Sequence, residues 1–209
     1  MLVYSDVHGN LPAFEAVLKQ AGSVDGYICL GDLVNYGPWS NECVDLAQSL
    51  PNSVFIRGNH EHAFLTGSYP GSNPLVRLFF DRSFPGFTRH HVIATYIDQW
   101  VSNGWVFTHT VKDLYIYPDT RLTLDANYVI GHSHHQFSYE NSGFSLFNAG
   151  SVGQNRRWIN RADYLVWEKD KNRFSMASAL YNLDLLISKM RGENYPQDCI
   201  DYYLSKERA

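Results

Sequence analysis

Eight residues capable of metal or acid–base chemistry follow apolar, strand-like runs of the chain, each where a run ends. In chain order they are Asp6, His8, Asp32, Asn59, His60, His109, His132 and His134. Carboxylate and amide oxygens combined with imidazole nitrogens suit Zn, Mn, Fe or Ni better than Mg or Ca alone. The set therefore indicates a metal site rather than a glycine-rich phosphate cradle or a nucleophile triad.

The spacing of these residues predicts how they converge. Asp6 and His8 are separated by two positions, as are His132 and His134, and in an extended segment that spacing places both side chains on one side. Seven of the eight residues could ligate two ions if one carboxylate bridges them. Two ions about 3.5–4 Å apart can clamp the attacking and leaving oxygens of a phosphoryl transfer.

The elements that would position these residues alternate in the first half of the chain. Apolar runs predict strands at 1–5, 26–30 and 53–57, and Asn10 and Ser40 are expected to cap the helices that begin after them. This order is typical of α/β folds, in which sites collect at the carboxyl ends of strands. The second half is rich in hairpins. The turn Asn103-Gly104 predicts one hairpin between strands at 92–101 and 105–108, and further strands are predicted at 127–130, 136–140, 144–147, 164–167 and 174–179.

Composition narrows the class of protein. The 209 residues are 44% hydrophobic and 18% charged, which predicts one globular domain over 1–209. The net charge is −4 and no basic stripe occurs, so we expect no bulk nucleic-acid binding. No apolar run reaches the ~18 residues of a membrane span, so we expect no membrane partner. Three scattered cysteines and the lack of a basic, apolar leader predict a reducing, cytoplasmic location.

Five motifs resemble the calcineurin-like metallophosphoesterase superfamily in order and spacing. They are DVHGN from Asp6, GDLVNYGP from Gly31, RGNHE from Arg57, a lone histidine after a hairpin, and GHSHH from Gly131. The stretch NAGSVGQNRR is similar to the NPGSVGQPR stretch of the small prokaryotic phosphodiesterase-like branch. The resemblance spans residues 2–185. It implies a four-layer αββα sandwich of two mixed β-sheets flanked by helices.

The resemblance also implies a role for each polar residue. Asp6, His8 and His134 would hold one metal ion, and Asn59, His109 and His132 would hold a second. Asp32 would bridge the two ions, while His60 would contact the phosphate and protonate the leaving oxygen. A hydroxide bridging the ions would be the nucleophile, because the metals lower its pKa toward neutrality. The ions implied are Mn, Fe, Ni, Zn or Co.

Three positions depart from the pattern of that superfamily. Glu61 replaces the Asp that usually follows GNH and normally steadies the catalytic histidine. His109 lies in a Thr-His-Thr sequence where His-Gly is usual, and Ala149 replaces a proline. Gly150, Ser151 and Gly153 are expected to form turns that support the metal loop.

These observations predict a dinuclear metal-dependent phosphoesterase that hydrolyses a phosphodiester or phosphomonoester. The substrate would be a small phosphate ester, with a nucleotide as one candidate, and an oligomer is compatible with the sequence. The alternatives are a diadenosine polyphosphate hydrolase, a protein phosphatase, or a non-catalytic protein-binding scaffold of the same fold. The Gly/Pro-rich segment 61–92 is expected to be a lid insertion. This segment is expected to form the walls of the substrate cleft together with Tyr36 and Trp39.

Overall fold

The computed structural model describes residues 1–209 and contains two five-stranded sheets. The first sheet has the order β10-β9-β1-β2-β3. Its strands are β1 (Leu2–Tyr4), β2 (Tyr27–Cys29), β3 (Ser53–Phe55), β9 (Arg161–Glu168) and β10 (Arg173–Leu180). Strands β1, β2 and β3 are parallel, and β9 runs antiparallel to both β1 and β10. The carboxyl ends of β1, β2 and β3 therefore lie at one edge.

The second sheet is also mixed and has the order β4-β5-β6-β8-β7. Its strands are β4 (Gln99–Ser102), β5 (Trp105–Thr108), β6 (Asn127–Ile130), β7 (Gln136–Asn141) and β8 (Phe144–Ala149). The pairs β5–β6 and β6–β8 are parallel, whereas β4–β5 and β7–β8 are antiparallel hairpins. The two mixed sheets of an α/β sandwich are thus confirmed.

Alternating side chains give each sheet two apolar faces. Val3 and Ile28 point between the sheets, where Trp167 packs on Phe107 with ring centroids 5.1 Å apart. Their chain neighbours Leu2, Tyr4 and Cys29 point to the other side of the first sheet. This alternation follows from the two-residue period of a strand. It fixes the register of the strands that carry the polar site residues at their ends.

Seven helices contribute buried side chains to the outer face of the first sheet. They are α1 (Leu11–Ala21), α2 (Ser40–Ser49), α3 (Asn59–Thr66), α4 (Pro74–Ser83), α5 (His90–Ile93), α6 (Leu183–Gly192) and α7 (Gln197–Leu204). The outer face of the second sheet is covered differently. There Val111, Ile116 and Leu124, from the irregular segment 110–126, pack on Ile130 and Leu146. No helix is long and apolar enough to cross a membrane.

Two boundaries predicted from the sequence are wrong. The strand expected from Val92 begins at Gln99, because residues 90–93 form the short helix α5. Ser40 is the first residue of α2 rather than its cap, and its hydroxyl accepts a hydrogen bond from the backbone N–H of Asn35 at 3.0 Å. Asn10 does cap α1, as predicted, by accepting from the N–H of Ala13.

Segment 61–92 is largely helical. It contains most of α3, all of α4 and the start of α5. Phe64, Phe79 and Phe80 from these helices are buried in the main hydrophobic cluster. The glycines and prolines of this segment lie in the turns between the helices or at a helix start. All three cysteines are buried and free, and a cytoplasmic location stays a prediction.

Candidate metal centre

The predicted site residues meet where the carboxyl ends of parallel strands from both sheets come together. Asp6 follows β1, Asp32 follows β2 and His109 follows β5 directly. The backbone N–H of His132, after β6, donates to Asp6 Oδ2 at 2.9 Å and so joins the edges of the two sheets. Gly131 permits this approach, because a Cβ at that position would overlap the side chains of Ser5 and Asp6. All eight predicted residues lie in or directly beside this centre.

The backbone at the centre is left-handed, and the extended geometry predicted for the two spaced pairs is therefore wrong. Positive φ values of 55°, 51°, 58°, 68° and 61° occur at Asp6, His8, Asp32, His132 and His134. Non-glycine residues rarely adopt this region, although Asp, Asn and His enter it more readily than most. The side chains of His132 and His134 consequently reach different parts of the centre.

Three groups of side chains bring their ligand atoms within 4.8 Å of one another. They are Asp6 with His8 and His134, Asp32 with His109 and His132, and His8 with Asp32 and His60. Every member of these groups is buried. The first two groups match the two ligand sets that the resemblance implies, with Asp32 in both the second and third groups. Asn59 joins the second group, since its Oδ1 lies 3.0 Å from His109 Nε2.

Backbone carbonyls fix the orientation of three histidine rings. The Nδ1 atoms of His8, His109 and His134 lie 3.2, 2.8 and 3.1 Å from the carbonyls of Val34, Leu30 and Gln154. An Nδ1–H that donates to a carbonyl leaves a lone pair on Nε2, the tautomer typical of metal-binding histidines. The Nε2 atoms of His8 and His134 then face each other at 3.1 Å.

The donor set fits a cation. Asp6 Oδ1 is buried without a hydrogen-bond partner and lies 3.0 Å from His134 Nε2. Two ring lone pairs and a carboxylate oxygen repel one another, and an unpaired buried charge is costly. A divalent ion placed among them would remove both penalties. In the second group, His109 Nε2 lies 3.2 Å from Asp32 Oδ2 and 3.1 Å from His132 Nδ1, and a divalent ion would take the place of the proton that joins His109 to Asp32.

The pKa values at the centre separate neutral from charged groups. Burial lowers the pKa of His132 and of His134 to about 4. Burial also acts to lower the pKa of His109, but the charge of Asp32 and a hydrogen bond to it raise the value to about 10. Despite burial, the charges of His109 and His60 hold the pKa of Asp32 well below its usual range. Asp32 is thus ionised at neutral pH.

His60 has a partner that the sequence did not reveal. Its Nδ1 lies 2.8 Å from Asn35 Nδ2, and Asn35 Oδ1 accepts a hydrogen bond from Ser83 Oγ at 2.9 Å. An amide N–H donated to Nδ1 places the ring proton of neutral His60 on Nε2. Burial lowers the pKa of His60 to about 3. Asn35 belongs to the GDLVNYGP motif, but its hydrogen bond to His60 could be identified only from the structure.

Glu61, which replaces the usual Asp, makes its hydrogen bonds to the backbone and none to His60. Its two carboxylate oxygens accept the backbone N–H groups of Asp32 at 2.7 Å, Leu33 at 2.7 Å and Gly58 at 2.9 Å. The side chain is fully buried. Glu61 therefore holds the Asp32 loop against the start of α3. A glutamate at the third position of a helix is a common partner of the capping N–H, and that signal could have identified the bond to Gly58.

The NAGSVG stretch supports the Asp6 loop, as predicted. Ser151 Oγ donates to the carbonyl of Asp6 at 2.7 Å, and the N–H of Gly153 donates to the same carbonyl at 2.9 Å. Asn148 Nδ2 donates to the carbonyl of Gly131 at 2.8 Å. One stretch thus ties the loops that carry Asp6 and His132.

A cleft of about 600 Å³ opens over the second ligand group. Asn59, His109 and His132 line it together with Tyr69 and Tyr115. The expectation that Tyr36 and Trp39 form its walls is wrong. Tyr36 is buried, with its ring 4.7 Å from that of His8, and Trp39 packs on the main hydrophobic cluster.

The fold and the site define an α/β sandwich with a buried Asp/His centre able to hold metal ions. The chain belongs to the calcineurin-like phosphoesterase family, whose sequence profile matches residues 1–175. It is similar to a metallophosphoesterase from Sphaerobacter thermophilus, with a TM-score of 0.81 and 26% identity over 97% of each chain. An uncharacterised protein of Methanocaldococcus jannaschii is 26% identical over 93% of each chain. A hypothetical protein from Pyrococcus horikoshii shares the fold, with a TM-score of 0.76 and 14% identity over 97% of this chain and 96% of that one.

Proposed function

We propose that the protein is a dinuclear metal-dependent phosphoesterase acting on a small phosphate ester. The observation that carries this proposal is the pair of buried ligand groups, in which ring nitrogens and carboxylate oxygens converge and Asp6 Oδ1 has no hydrogen-bond partner. Asp6, His8 and His134 would hold one divalent ion; Asn59, His109 and His132 would hold the other, and Asp32 would contact both. Ions bound there would activate a water for attack at neutral pH and neutralise the charge on the phosphate.

The residues of the chain would then orient the ester and supply a proton. His60 is 6% exposed, and one of its ring nitrogens lies within 4.8 Å of ligand atoms of His8 and Asp32. With Nδ1 facing Asn35, the neutral ring can donate its Nε2–H as a hydrogen bond to the leaving oxygen. The negative charge of a bound phosphate would favour the protonated ring, which could transfer that proton and return to the neutral form. Asn35 and Ser83 would keep the ring in that tautomer. Glu61 would hold the Asp32 backbone so that the carboxylate keeps its position.

The experiment is metal reconstitution followed by a substrate panel. The purified protein would be stripped with a chelator and reloaded separately with Mn, Ni, Co, Zn or Mg. Each sample would be assayed with phosphodiesters, phosphomonoesters, diadenosine tetraphosphate and a phosphopeptide. We expect about two bound ions per chain and hydrolysis that depends on them. A protein that binds no metal, or hydrolyses nothing in any metal, would contradict the proposal.

The same panel separates the alternatives. Diadenosine polyphosphate hydrolysis and protein phosphatase activity would appear as a preference for the corresponding substrate. A protein-binding scaffold would need neither metal nor His60. His60 and six of the seven predicted ligands share one buried centre, and the exposed Asn59 lines the cleft beside them, which supports the enzyme over the scaffold.

A further inference from the structure

We infer that Tyr69 and Tyr115 form an aromatic clamp that selects phosphate esters carrying one phosphate and a planar aromatic group, such as a nucleobase. This inference rests on the proposed function and adds the substrate class. Both tyrosines line the cleft over Asn59, His109 and His132.

The two tyrosines approach the centre from different parts of the chain. Tyr69 lies in the turn between α3 and α4, and its ring is nearly parallel to that of His60 at an angle of 18° and a centroid distance of 6.3 Å. Tyr115 lies in segment 110–126, and its ring stacks on His132 at 30° and 4.0 Å. Each tyrosine therefore places an aromatic surface beside a residue of the predicted reaction centre.

Tyr115 keeps a free surface although it stacks on His132. The residue is 57% exposed, an unusual exposure for a large aromatic residue packed on a buried histidine. Stacking a base on an aromatic side chain stabilises a complex by about 1–3 kcal/mol and tolerates different bases. An exposed ring at the mouth of a cleft is suited to that contact.

The charges of the cleft limit the number of phosphates. Apart from histidines, the charged residues lining it are Arg57, Asp98 and Asp113. Arg57 Nη1 already lies 3.4 Å from Asp98 Oδ1. The lining itself thus offers no unpaired cation for a second or third phosphate, whose charge would be left largely uncompensated. Arg156 lies outside the lining and is hydrogen-bonded to Tyr202, although its charge acts on Tyr115 and His134. The metal ions and this one arginine would serve a single phosphate, which favours a mononucleotide ester over a diadenosine polyphosphate.

The polar residues of the lining suit the remainder of such a ligand. Thr108, Thr110 and Asp113 stand beside Tyr115 in the wall of the cleft. Their hydroxyl and carboxylate oxygens can accept hydrogen bonds from sugar hydroxyls or from exocyclic amino groups. The volume of about 600 Å³ lies within the range of small-molecule sites.

The test compares two ligands that differ only in the base. They are the nonhydrolysable analogues of adenosine 5′-monophosphate and ribose 5-phosphate, in which a methylene group replaces the bridging 5′ oxygen. Their dissociation constants for the manganese-loaded full chain would be measured by calorimetry. We expect the adenosine compound to bind roughly 5- to 100-fold more tightly to the wild-type protein. Tyr115→Ala and Tyr69→Ala should each reduce that ratio, whereas Tyr115→Phe and Tyr69→Phe should retain it.

Controls distinguish a clamp from a positioning effect. Tyr128→Ala changes a partly exposed tyrosine of β6 that does not line the cleft, and it should leave the ratio unchanged. Metal content would be measured for every variant because Tyr115 contacts His132. Equal weakening of both ligands in the alanine variants, or no preference for the base in the wild type, would overturn the clamp. Because the binding ratio is measured without turnover, a protein that hydrolyses no ester but prefers the base would refute the proposed function alone.

Discussion

The carboxylate of Glu61 accepts the backbone N–H of Asp32 at 2.7 Å, so a residue next to His60 secures the loop of the predicted bridging ligand. Leu33 and Gly58 donate to the same carboxylate. Three N–H groups that would otherwise be buried without acceptors thus depend on one side chain. The side chains of the consecutive residues His60 and Glu61 thus have different partners, since His60 meets Asn35 and Glu61 meets the Asp32 loop.

Glu61→Gln is expected to destabilise the protein and weaken metal binding. The amide of Gln would turn an N–H toward one of the three backbone donors, and an unsatisfied buried group costs about 1–3 kcal/mol. For a chain of this length that corresponds to a fall of roughly 3–10 °C in Tm. Calorimetry and metal analysis check both effects. Glu42→Gln, at an exposed site on α2, is the matched control, and equal behaviour of the two variants would contradict the function assigned to Glu61.

Asp32→Ala is expected to lose both metal ions, whereas His132→Ala should lose mainly one. Asp32 belongs to two of the three ligand groups, and His132 belongs to one. Elemental analysis of the purified variants gives the stoichiometry directly. His91→Ala, an exposed histidine of α5, should keep the wild-type content. Two ions retained in Asp32→Ala would show that the ligand assignment is wrong.

His60→Gln is expected to separate poor from good leaving groups. General acid catalysis contributes about 10²–10⁴-fold, and an alkoxide needs the proton more than a nitrophenolate does. The variant should keep its metal, lose two or more orders of magnitude on a nucleoside ester, and lose less on a nitrophenyl ester. Steady-state kinetics with both substrates give the comparison. Loss of metal would instead make His60 a ligand, and equal losses would make it a phosphate binder.

The metal-free protein is expected to lose stability as the pH falls from about 6.5 to 4. Burial lowers the pKa of His132 and His134 to about 4, whereas unfolded histidine titrates near ~6.5. The unfolded chain binds more protons within this window, so acid favours unfolding. His109, with a pKa of about 10, is already protonated in the folded state. Its contribution to stability therefore increases slightly as the pH falls through 6.5, and this increase is smaller than the combined loss at His132 and His134.

Urea denaturation of chelator-treated protein at pH 7 and pH 5 measures this effect. The free energy of unfolding should fall by roughly 1–3 kcal/mol between the two values. The double variant His132→Gln/His134→Gln should show a smaller fall than the wild type. Stability that is constant or rises as the pH falls would show that these histidines are not held neutral.

The positions of the candidate ligands could be predicted because strand ends can be located in the sequence. Short apolar runs locate β1, β2 and β3, and the polar residues that follow lie at the same edge because these strands are parallel. The family resemblance then assigned each residue to an ion. Neither signal describes the backbone between the strand and the ligand, so the left-handed geometry of Asp6 and His132 was missed.

The supporting residues could not be predicted for a different reason. Asn35 and Ser83 are 48 positions apart and meet only because α4 packs beside the Asp32 loop. Tyr69 and Tyr115 lie in irregular segments, where no periodicity indicates which way a side chain points. Tyr36 was the better candidate by sequence proximity to Asp32. Its ring is instead buried beside Phe79, with centroids 4.7 Å apart.

Five of the predicted ligands have left-handed backbone conformations, which non-glycine residues rarely adopt. A left-handed residue other than glycine costs about 1–2 kcal/mol, and five occur here. Replacing Asp6 or His134 by glycine would relieve that strain while removing a ligand. We therefore expect that a related protein without a metal site would accept glycine at these positions and gain folding stability. At this centre, aspartate and histidine at positive φ therefore give up backbone stability to hold their side chains in place.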